Sequence, residues 1–384
     1  MIKKPVYLDY HAHSPLDPEV AEILARAYGK LDANPHSHHG PGDEARLALE
    51  DARSSVASFI GARNSELIFT SGATEANNLA LAGVAPMLRK SGRTRLIIGA
   101  GEHPSVLAAA SALPDMVVEL LPLRADGRVD LDALRHLLGP DVGLVSVAWV
   151  NHEIGTIQPL TEIAAAAHEH GALVHSDLAQ ACGRVPADVG NLDLASMAAH
   201  KFNGPLGIGA LFVRRSLRRS LAPILYGGGQ EGAARSGTVP VPLCVAFAAA
   251  CEKAASLMED DGARIRALRD RLLAALDQAG GVTVNGGMDH RVAGNLNVSF
   301  EDVDAEALVM RVRNEVSLST GSACTSSSLE PSHVLTAIGL ERPRAESAVR
   351  FGLGRFSTVE EIDFAAEAVL DAVRVLRRAV RRVA

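Results

Sequence analysis

Lys201 is the first residue that asks for a chemical reason. It closes an apolar run in Ala198-Ala199-His200-Lys201-Phe202-Asn203-Gly204-Pro205 and is followed by Gly-Pro turn chemistry. A desolvated lysine has a lowered pKa and becomes a competent amine nucleophile. The second is Asp177, at the end of Leu173-Val174-His175-Ser176-Asp177. A carboxylate at the end of a buried strand is costly unless partnered, and a protonated pyridine nitrogen is a suitable partner. The third signal is Ser71-Gly72-Ala73-Thr74-Glu75-Ala76-Asn77-Asn78, small residues between a strand pattern and a helix. Such a junction offers backbone N–H groups and the helix dipole to an anion such as phosphate, with a hydroxyl from Thr74.

Three further positions have chemistry of their own. Cys324 sits in Gly321-Ser322-Ala323-Cys324-Thr325-Ser326-Ser327-Ser328, a small polar run that suits an exposed loop and a reactive thiol. Cys244 and Cys251 lie in an apolar helical stretch and read as packing residues, and Cys182 reads as structural. Arg350, in Ala348-Val349-Arg350-Phe351-Gly352, could grip a carboxylate through two parallel bonds. His103, in Gly101-Glu102-His103-Pro104-Ser105, could stack on a ring or shuttle protons. Each signal also has a plain reading. The Thr74 turn fits an ordinary Ser/Thr cap, Asp177 a helix N-cap, Lys201 and His103 loop residues, and Arg350 a salt bridge.

The elements around these residues alternate. Apolar runs at 66–70, 96–100, 116–121, 143–150, 172–176 and 207–213 read as buried strands, with helical patterns near 74–90, 130–138 and 159–170. That alternation predicts an α/β large domain around a mainly parallel sheet, with ligands outside the carboxyl ends of its strands. After about residue 255 the texture changes. A helical stripe at 261–279, an alternating strand at 295–300, a helix near 304–314, strands near 316–319 and 347–353 and a final helix from about 358 predict a smaller α+β domain. The expected division is 15–255 for the large domain, and 1–14 with 256–384 for the small one carrying the Cys324 loop.

Composition narrows the classes. The 384 residues are 47% apolar and 22% charged, with 45 acids against 38 bases and a net charge of −7. A mildly acidic chain without a basic, aromatic-studded stripe is a poor nucleic-acid binder. The N-terminus lacks a signal-peptide core, and no apolar run of about 18 residues is expected, so neither export nor a membrane span is predicted. Four cysteines without a Cys-x-x-Cys pair predict a reduced, cytoplasmic protein. His36, His38 and His39 lack supporting ligands at metal spacing, and no metal site is expected.

In chain order, Gly-Ala-Thr-Glu at 72–75, Glu-His at 102–103, Asn-x-Glu-Ile-Gly at 151–155, Asp-x-x-Gln at 177–180 and His-Lys at 200–201 form one pattern. Arg-Ser-Gly-Thr at 235–238, Gly-Ser-Ala-Cys-Thr-Ser at 321–326 and Arg-Phe-x-Leu-Gly-Arg-Phe at 350–356 complete it. The set resembles the cysteine desulfurases, class V aminotransferase-type enzymes of pyridoxal-phosphate (PLP) fold type I. The resemblance runs from Leu8-Asp9-Tyr10 to Phe356. Its most specific piece is the Cys324 loop followed by Leu329-Glu330-Pro331-Ser332, similar to the group that feeds iron–sulfur cluster assembly.

The resemblance implies roles. Lys201 would form the Schiff base with PLP and move protons. Asp177 would pair with the pyridine nitrogen, Gln180 with the ring oxygen, and His103 would stack on the ring. Ala73, Thr74 and His200 would hold the phosphate, joined by Thr238 reaching across a homodimer. Asn151 would touch cofactor and substrate, while Arg350 with Asn151 and His152 would bind L-cysteine. Cys324 would take the sulfur as a persulfide and hand it to an acceptor or scaffold protein. The rival readings are a related PLP lyase or transferase acting on selenocysteine or a modified cysteine, and a non-catalytic sulfur-transfer scaffold.

The sequence departs from the family at several points. His11 and His13 replace small or hydroxyl residues, and His152 replaces an asparagine. Ala198 replaces a serine, and Asn203 stands where an aromatic residue or glycine is common. These changes predict that His152 and at least one of His11 and His13 line the active site, with compensated drift as the alternative. Arg374, Arg377, Arg378, Arg381 and Arg382 form one face of the last helix. That face reads as solvated, or as a docking surface for an acidic partner.

Overall fold

The computed structural model describes residues 5–320 and 330–383. The first half runs β1 (Val6–Tyr7), α1 (Pro18–Tyr28), α2 (Gly40–Phe59), β2 (Leu67–Thr70), α3 (Ala73–Lys90), β3 (Arg95–Gly99), α4 (Pro104–Ser111), β4 (Val117–Leu121) and α5 (Leu131–Leu137). It continues with β5 (Val142–Ser146), α6 (Leu160–Glu169), β6 (Leu173–Asp177), β7 (Leu194–Ala198), β8 (Gly209–Val213) and α7 (Val241–Leu276). Then follow β9 (Val282–Val284), β10 (Asn295–Phe300), α8 (Ala305–Val312), β11 (Val316–Ser317), α9 (His333–Ala337), α10 (Arg342–Glu346), β12 (Ala348–Gly352) and α11 (Val359–Val383).

Seven strands form one sheet in the order β2-β8-β7-β6-β5-β3-β4. All neighbours are parallel except β8, which runs against β2 and β7. The central strands β5, β7 and β8 are buried throughout. Helices cover both faces, which is why β5 and β8 read as apolar runs. One face packs Val145, Val174, Met197 and Phe212 with Val56 from α2, Ile163 from α6 and Phe247 from α7. The other packs Ile68, Ile98, Leu144 and Leu211 with Leu79 and Val84 from α3.

A second core joins Leu268, Leu272 and Leu276 of α7 to Leu296, Val298 and Phe300 of β10, Phe351 of β12 and Ile362, Val369 and Val373 of α11. Its sheet has the order β12-β10-β9, antiparallel throughout. Val6 and Leu8 belong to this core, and β1 pairs in parallel with β11.

Four expectations change. The helix α4 was not anticipated, because only eight residues form it, started by the His103 cap and Pro104. The stripe at 261–279 is the second half of α7, one helix whose only proline stands in its first turn. That helix also corrects the view that no long apolar stretch exists. The segment Val241–Ala279 contains a window of mean hydropathy 1.5, half of it buried in the protein interior, as expected of a core helix. On α11, Arg377 is not simply solvated, since it donates to the carbonyls of Ala279, Gly280 and Glu301.

One buried ion pair fixes the loop that carries Thr238. Arg53 on α2 makes two parallel bonds of 2.8 Å to Glu231, whose Oε2 also accepts from Phe69 N on β2 at 2.8 Å. The guanidinium lies 4.9 Å from the Phe69 ring centroid. Glu231→Leu strands a buried cation and should lower the free energy of unfolding by about 3–5 kcal/mol, read from urea titration of matched samples. Adding Arg53→Met should recover most of that loss. A single variant within about 1 kcal/mol of wild type, the range of an exposed pair, would reject this assignment.

Candidate active site

The carboxyl ends of β2, β3, β5, β6 and β7 open on one edge of the large sheet, and each delivers part of a site. After β7 the chain makes one tight turn through Ala199–Lys201. Asn203 follows with φ at 66°, in the left-handed region that asparagine tolerates better than most side chains. Its side chain donates to Pro15 O at 2.7 Å. This explains the departure at 203, where a bulkier residue would be strained.

Lys201 Nζ donates to the carbonyls of His11 at 2.9 Å and Ala12 at 2.8 Å. The segment bearing these carbonyls is itself tied down. Ser14 bonds His200 O through its N–H and Lys201 O through its hydroxyl, and Asp17 N donates to Asn203 O. Half-buried Arg184 donates to Lys201 O at 3.0 Å and Tyr10 O at 3.2 Å, and desolvation brings its guanidinium down to about 10.

His11 and Gln180 form a closed pair. Gln180 Nε2 donates to His11 O at 2.8 Å, and Gln180 Oε1 accepts from His11 Nδ1 at 2.9 Å. His11 Nε2 is then a buried acceptor with no partner among the described residues. Burial, and then Arg184 and Arg350, hold this imidazole well below its usual pKa, so it is neutral. His13 stacks on His200 with ring centroids 5.7 Å apart. Burial, then Lys201 and His13, lower His200 to about 4.

Asp177 is 6% exposed and both its oxygens are held. Oδ1 accepts from Ala179 N at 2.8 Å and Oδ2 from Asn77 Nδ2 at 2.8 Å. Asp177 therefore orders a turn rather than capping a helix. The first turn of α3 has Gly72 as its N-cap with no side-chain partner, and a Cβ built there meets nothing within 4 Å. The Ser/Thr cap considered for this turn is absent, leaving the N–H groups beside Ala73 and Thr74 open. Beyond β3, His103 caps α4 through Nδ1.

His152 packs edge-on against His103, with centroids 5.3 Å apart, and 6.2 Å from His333 on α9. Burial, then His103 and Arg350, hold His152 far below its usual pKa. His333 Nε2 donates to Glu102 O at 2.9 Å. Two buried carboxyls flank this group. Glu102 accepts from Ala148 N, and burial raises its pKa strongly; burial also raises Glu153, which accepts from Ser332 Oγ. Asn151 is spent on backbone, donating to Gly101 O and accepting from Glu153 N and Ile154 N.

Arg350 is 4% exposed on its side chain and carries the salt bridge considered from sequence, to Asp9 at 2.9 Å, with a second bond to His152 O at 2.8 Å. Its Nε is buried without a partner among the described residues. Thr238 is exposed, and no hydrogen bond or ion pair among the described residues links it to the others. Cys324 lies outside the described residues. Cys182, Cys244 and Cys251 are buried, and burial raises each thiol, Cys182 to about 12. No group of three or more His, Cys, Asp or Glu among the described residues is placed to hold a metal ion.

Sequence reasoning missed Asn77 as a partner of Asp177, as well as Ser105, Arg184, Glu153 and His333. Asn77 had a signal: it stands at an inward position of the α3 pattern, where a polar side chain must have a partner.

Residues 6–364 match the family described as aminotransferase class-V, and the chain belongs to that family. The mitochondrial cysteine desulfurase of Arabidopsis thaliana is 47% identical over 97% of this chain and 83% of its own length. Cysteine desulfurase IscS of Rickettsia bellii is 44% identical over 97% and 92%. A solved NifS-like protein superposes with a TM-score of 0.90 at 32% identity, covering 97% of this chain and 100% of its own. Within the class-V family the chain is thus a member of the cysteine desulfurases, which depend on pyridoxal 5′-phosphate. The residues present fit that cofactor: an uncapped helix N-terminus with open space for a phosphate, a lysine amine, and an oriented buried carboxylate for a ring nitrogen.

Stability should depend on pH in a set direction. His11, His13, His103, His152, His175 and His200 all have folded pKa values below 6.5, so the unfolded chain takes up protons there that the folded chain refuses. Stability present above that value is lost as pH falls toward about 4, the folded value of His175 and His200. Glu102 and Glu153 act oppositely, but six imidazoles outweigh two carboxyls. The melting temperature should fall between pH 6.5 and 5; a rise over that range would contradict this reading.

Proposed function

We propose that the chain removes sulfur from L-cysteine, releases L-alanine and carries the sulfur as a persulfide on Cys324. The observation that carries this reading is convergence. Lys201, Asp177 and the open first turn of α3 come from three strand ends to one edge of the sheet. When bound, the cofactor supplies an electron sink for the substrate α-carbon.

The side chains divide the work. Lys201 Nζ anchors the cofactor and moves the α-proton. Asp177 holds a proton on the pyridine nitrogen. The N–H groups at Ala73 and Thr74, with His200, bind phosphate, and Gln180 faces the ring oxygen. His103, neutral at physiological pH because burial lowers its pKa, stacks on the ring and serves acid–base steps. Arg350 Nε–H is a donor left over for the substrate carboxylate. Asn151 and His152 shape the wall beside it.

The Cys324 thiolate attacks the substrate sulfur. The sulfur–carbon bond breaks, its electron pair stays on carbon, and the carbon fragment takes a proton and leaves as alanine. No outside oxidant is needed, because the electron pair that sulfur gives up in forming the sulfur–sulfur bond is the pair that stays on the β-carbon, which is reduced to the methyl group of alanine. The buried, raised thiols of Cys182, Cys244 and Cys251 are unsuited to this step, which supports Cys324.

The same reading extends to the assembly. A homodimer would let the exposed Thr238 loop complete the phosphate site of the partner, and exposed Leu225 and Tyr226 on that loop suit an interface. The two cores support a large domain over 15–255 and a small one from 1–14 and 256–384. A sulfur acceptor or scaffold protein takes the persulfide. The free cysteines support a reducing compartment, and we place the chain in the cytoplasm.

The test is release of alanine and sulfide from L-cysteine with a reductant. Wild type should yield both in equal amounts. Cys324→Ala should keep the visible absorbance of bound cofactor yet lose turnover, and Lys201→Ala should lose both. Full activity of Cys324→Ala would refute the assigned nucleophile.

A further inference from the structure

The side chain of Asn77 touches two parts of the site at once. It is 0% exposed on the inward face of α3. One Nδ2 hydrogen goes to Asp177 Oδ2 at 2.8 Å and the other to Ser105 Oγ at 2.9 Å. A hydroxyl that accepts from Asn77 has its own hydrogen left, and Ser105 Oγ lies 2.8 Å from His103 Nδ1. The Ser105 backbone N–H reaches the same nitrogen at 3.1 Å.

The direction of this chain is fixed by groups that can act in only one way. A backbone N–H only donates, and the Ser105 hydroxyl, which accepts from Asn77, turns its own hydrogen to the same nitrogen in the shorter of the two contacts, so the two donors together make His103 Nδ1 an acceptor and the neutral ring carries its proton on Nε2. An ionised carboxylate only accepts, so the Asn77 amide must turn its NH2 group toward Asp177. Turned the other way, Oδ1 would face the carboxylate. The preferred orientation leaves Asn77 Oδ1 buried without a partner among the described residues. An unmade bond on a buried acceptor is costly, so the two bonds on Nδ2 must outweigh it.

We propose that Asn77 is a positioning residue of the reaction, setting the Asp177 carboxylate directly and, through Ser105, the Nε2–H tautomer of His103. This rests on the reading that Asp177 and His103 face the cofactor. Three elements bring the bridge together: α3 brings Asn77 from β2, α4 brings Ser105 from β3, and β6 ends in Asp177. Three strand ends are thereby locked to one another by a single amide.

Two arms test it. In cofactor-free protein labelled with 15N-histidine, with the His103 signals assigned through His103→Asn, wild type should show Nδ1 as the unprotonated nitrogen. Ser105→Ala should shift that pattern toward a tautomer mixture, and Ser105→Thr, which keeps the hydroxyl, should restore it. Cofactor affinity, titrated by visible absorbance, should be unchanged in Ser105→Ala. It should weaken by about 10-fold or more in Asn77→Ser, which is too short to reach either partner, as loss of a hydrogen bond to a charged group predicts. Asn77→Asp, which sets a second carboxylate against Asp177, should weaken it further. In turnover, Ser105→Ala should lower kcat with KM unchanged. Unaltered His103 nitrogen shifts in Ser105→Ala, or wild-type cofactor affinity in a folded Asn77→Ser, would overturn the proposal. If the Asn77 variants do not fold, the Ser105 pair decides the matter. Failure of wild type to bind the cofactor would instead overturn the functional reading, and the nitrogen shifts would still judge the bridge.

Discussion

A carboxylate buried at the end of a strand must be held, and much of this architecture follows from holding Asp177. A charge with 6% exposure is tolerable only with hydrogen bonds on its oxygens and a partner for its charge. The turn after β6 supplies one N–H from Ala179. The other oxygen is met by Asn77, which requires α3 to start directly after β2 and to turn its second-turn residues inward. The same start leaves the first-turn N–H groups without a cap. The demands of the carboxylate and of an anion site are thus met by one placement of one helix.

The second constraint is the strap 9–17, which couples the two cores at Lys201. It leaves the three-stranded sheet where Gly352 N donates to Leu8 O and Tyr10 N to Gly352 O. It then crosses to the Lys201 turn and ends at α1. Two glycines permit the crossing. A Cβ at Gly354 would overlap the Tyr10 ring, and one at Gly352 would stand 2.8 Å from Tyr10 N. Asp9 on the strap holds Arg350, while His11 on it holds Gln180. The strap between the two cores thus runs through the residues that hold Lys201, Arg350 and Gln180 together. The Arg350 guanidinium and the Lys201 amine are coupled by the backbone itself.

The sequence made most of the sheet legible because both faces of β5 and β8 are buried, which leaves apolar runs; β7, the short Leu-Ala-Ser-Met-Ala, was not among the expected strands, because its small residues and serine break the run. It also marked Lys201, Asp177 and the turn before α3 by their placement at strand ends. What it could not show were partners chosen across long separations. Arg350 pairs with Asp9 over 341 positions and Arg53 with Glu231 over 178, and no local pattern records either choice. The histidine departures were visible as residue types. That His11 would clamp Gln180, and that His333 would complete a row with His152 and His103, depends on how distant elements meet. The short α4 was hidden for a different reason: its residues are too few and too uniformly small to show a period.

The row of histidines is best understood through charge. Lys201, Arg350, Arg184 and Asp177 already bring three cationic side chains and one anionic side chain to a small volume. Adding charged imidazoles would make every cation there less stable, and burial removes the solvent that would screen them. The fold resolves this by keeping His11, His13, His152 and His200 neutral, while burial separately moves Glu102 and Glu153 toward their uncharged forms. Neutral imidazoles still offer one donor and one acceptor each, so His11, His13 and His152 can replace the hydroxyl and amide groups usual at their positions without changing the net charge. That makes three histidine substitutions near one lysine physically compatible with the same chemistry. The site can change its lining as long as its charges stay where Asp177, Lys201 and Arg350 put them.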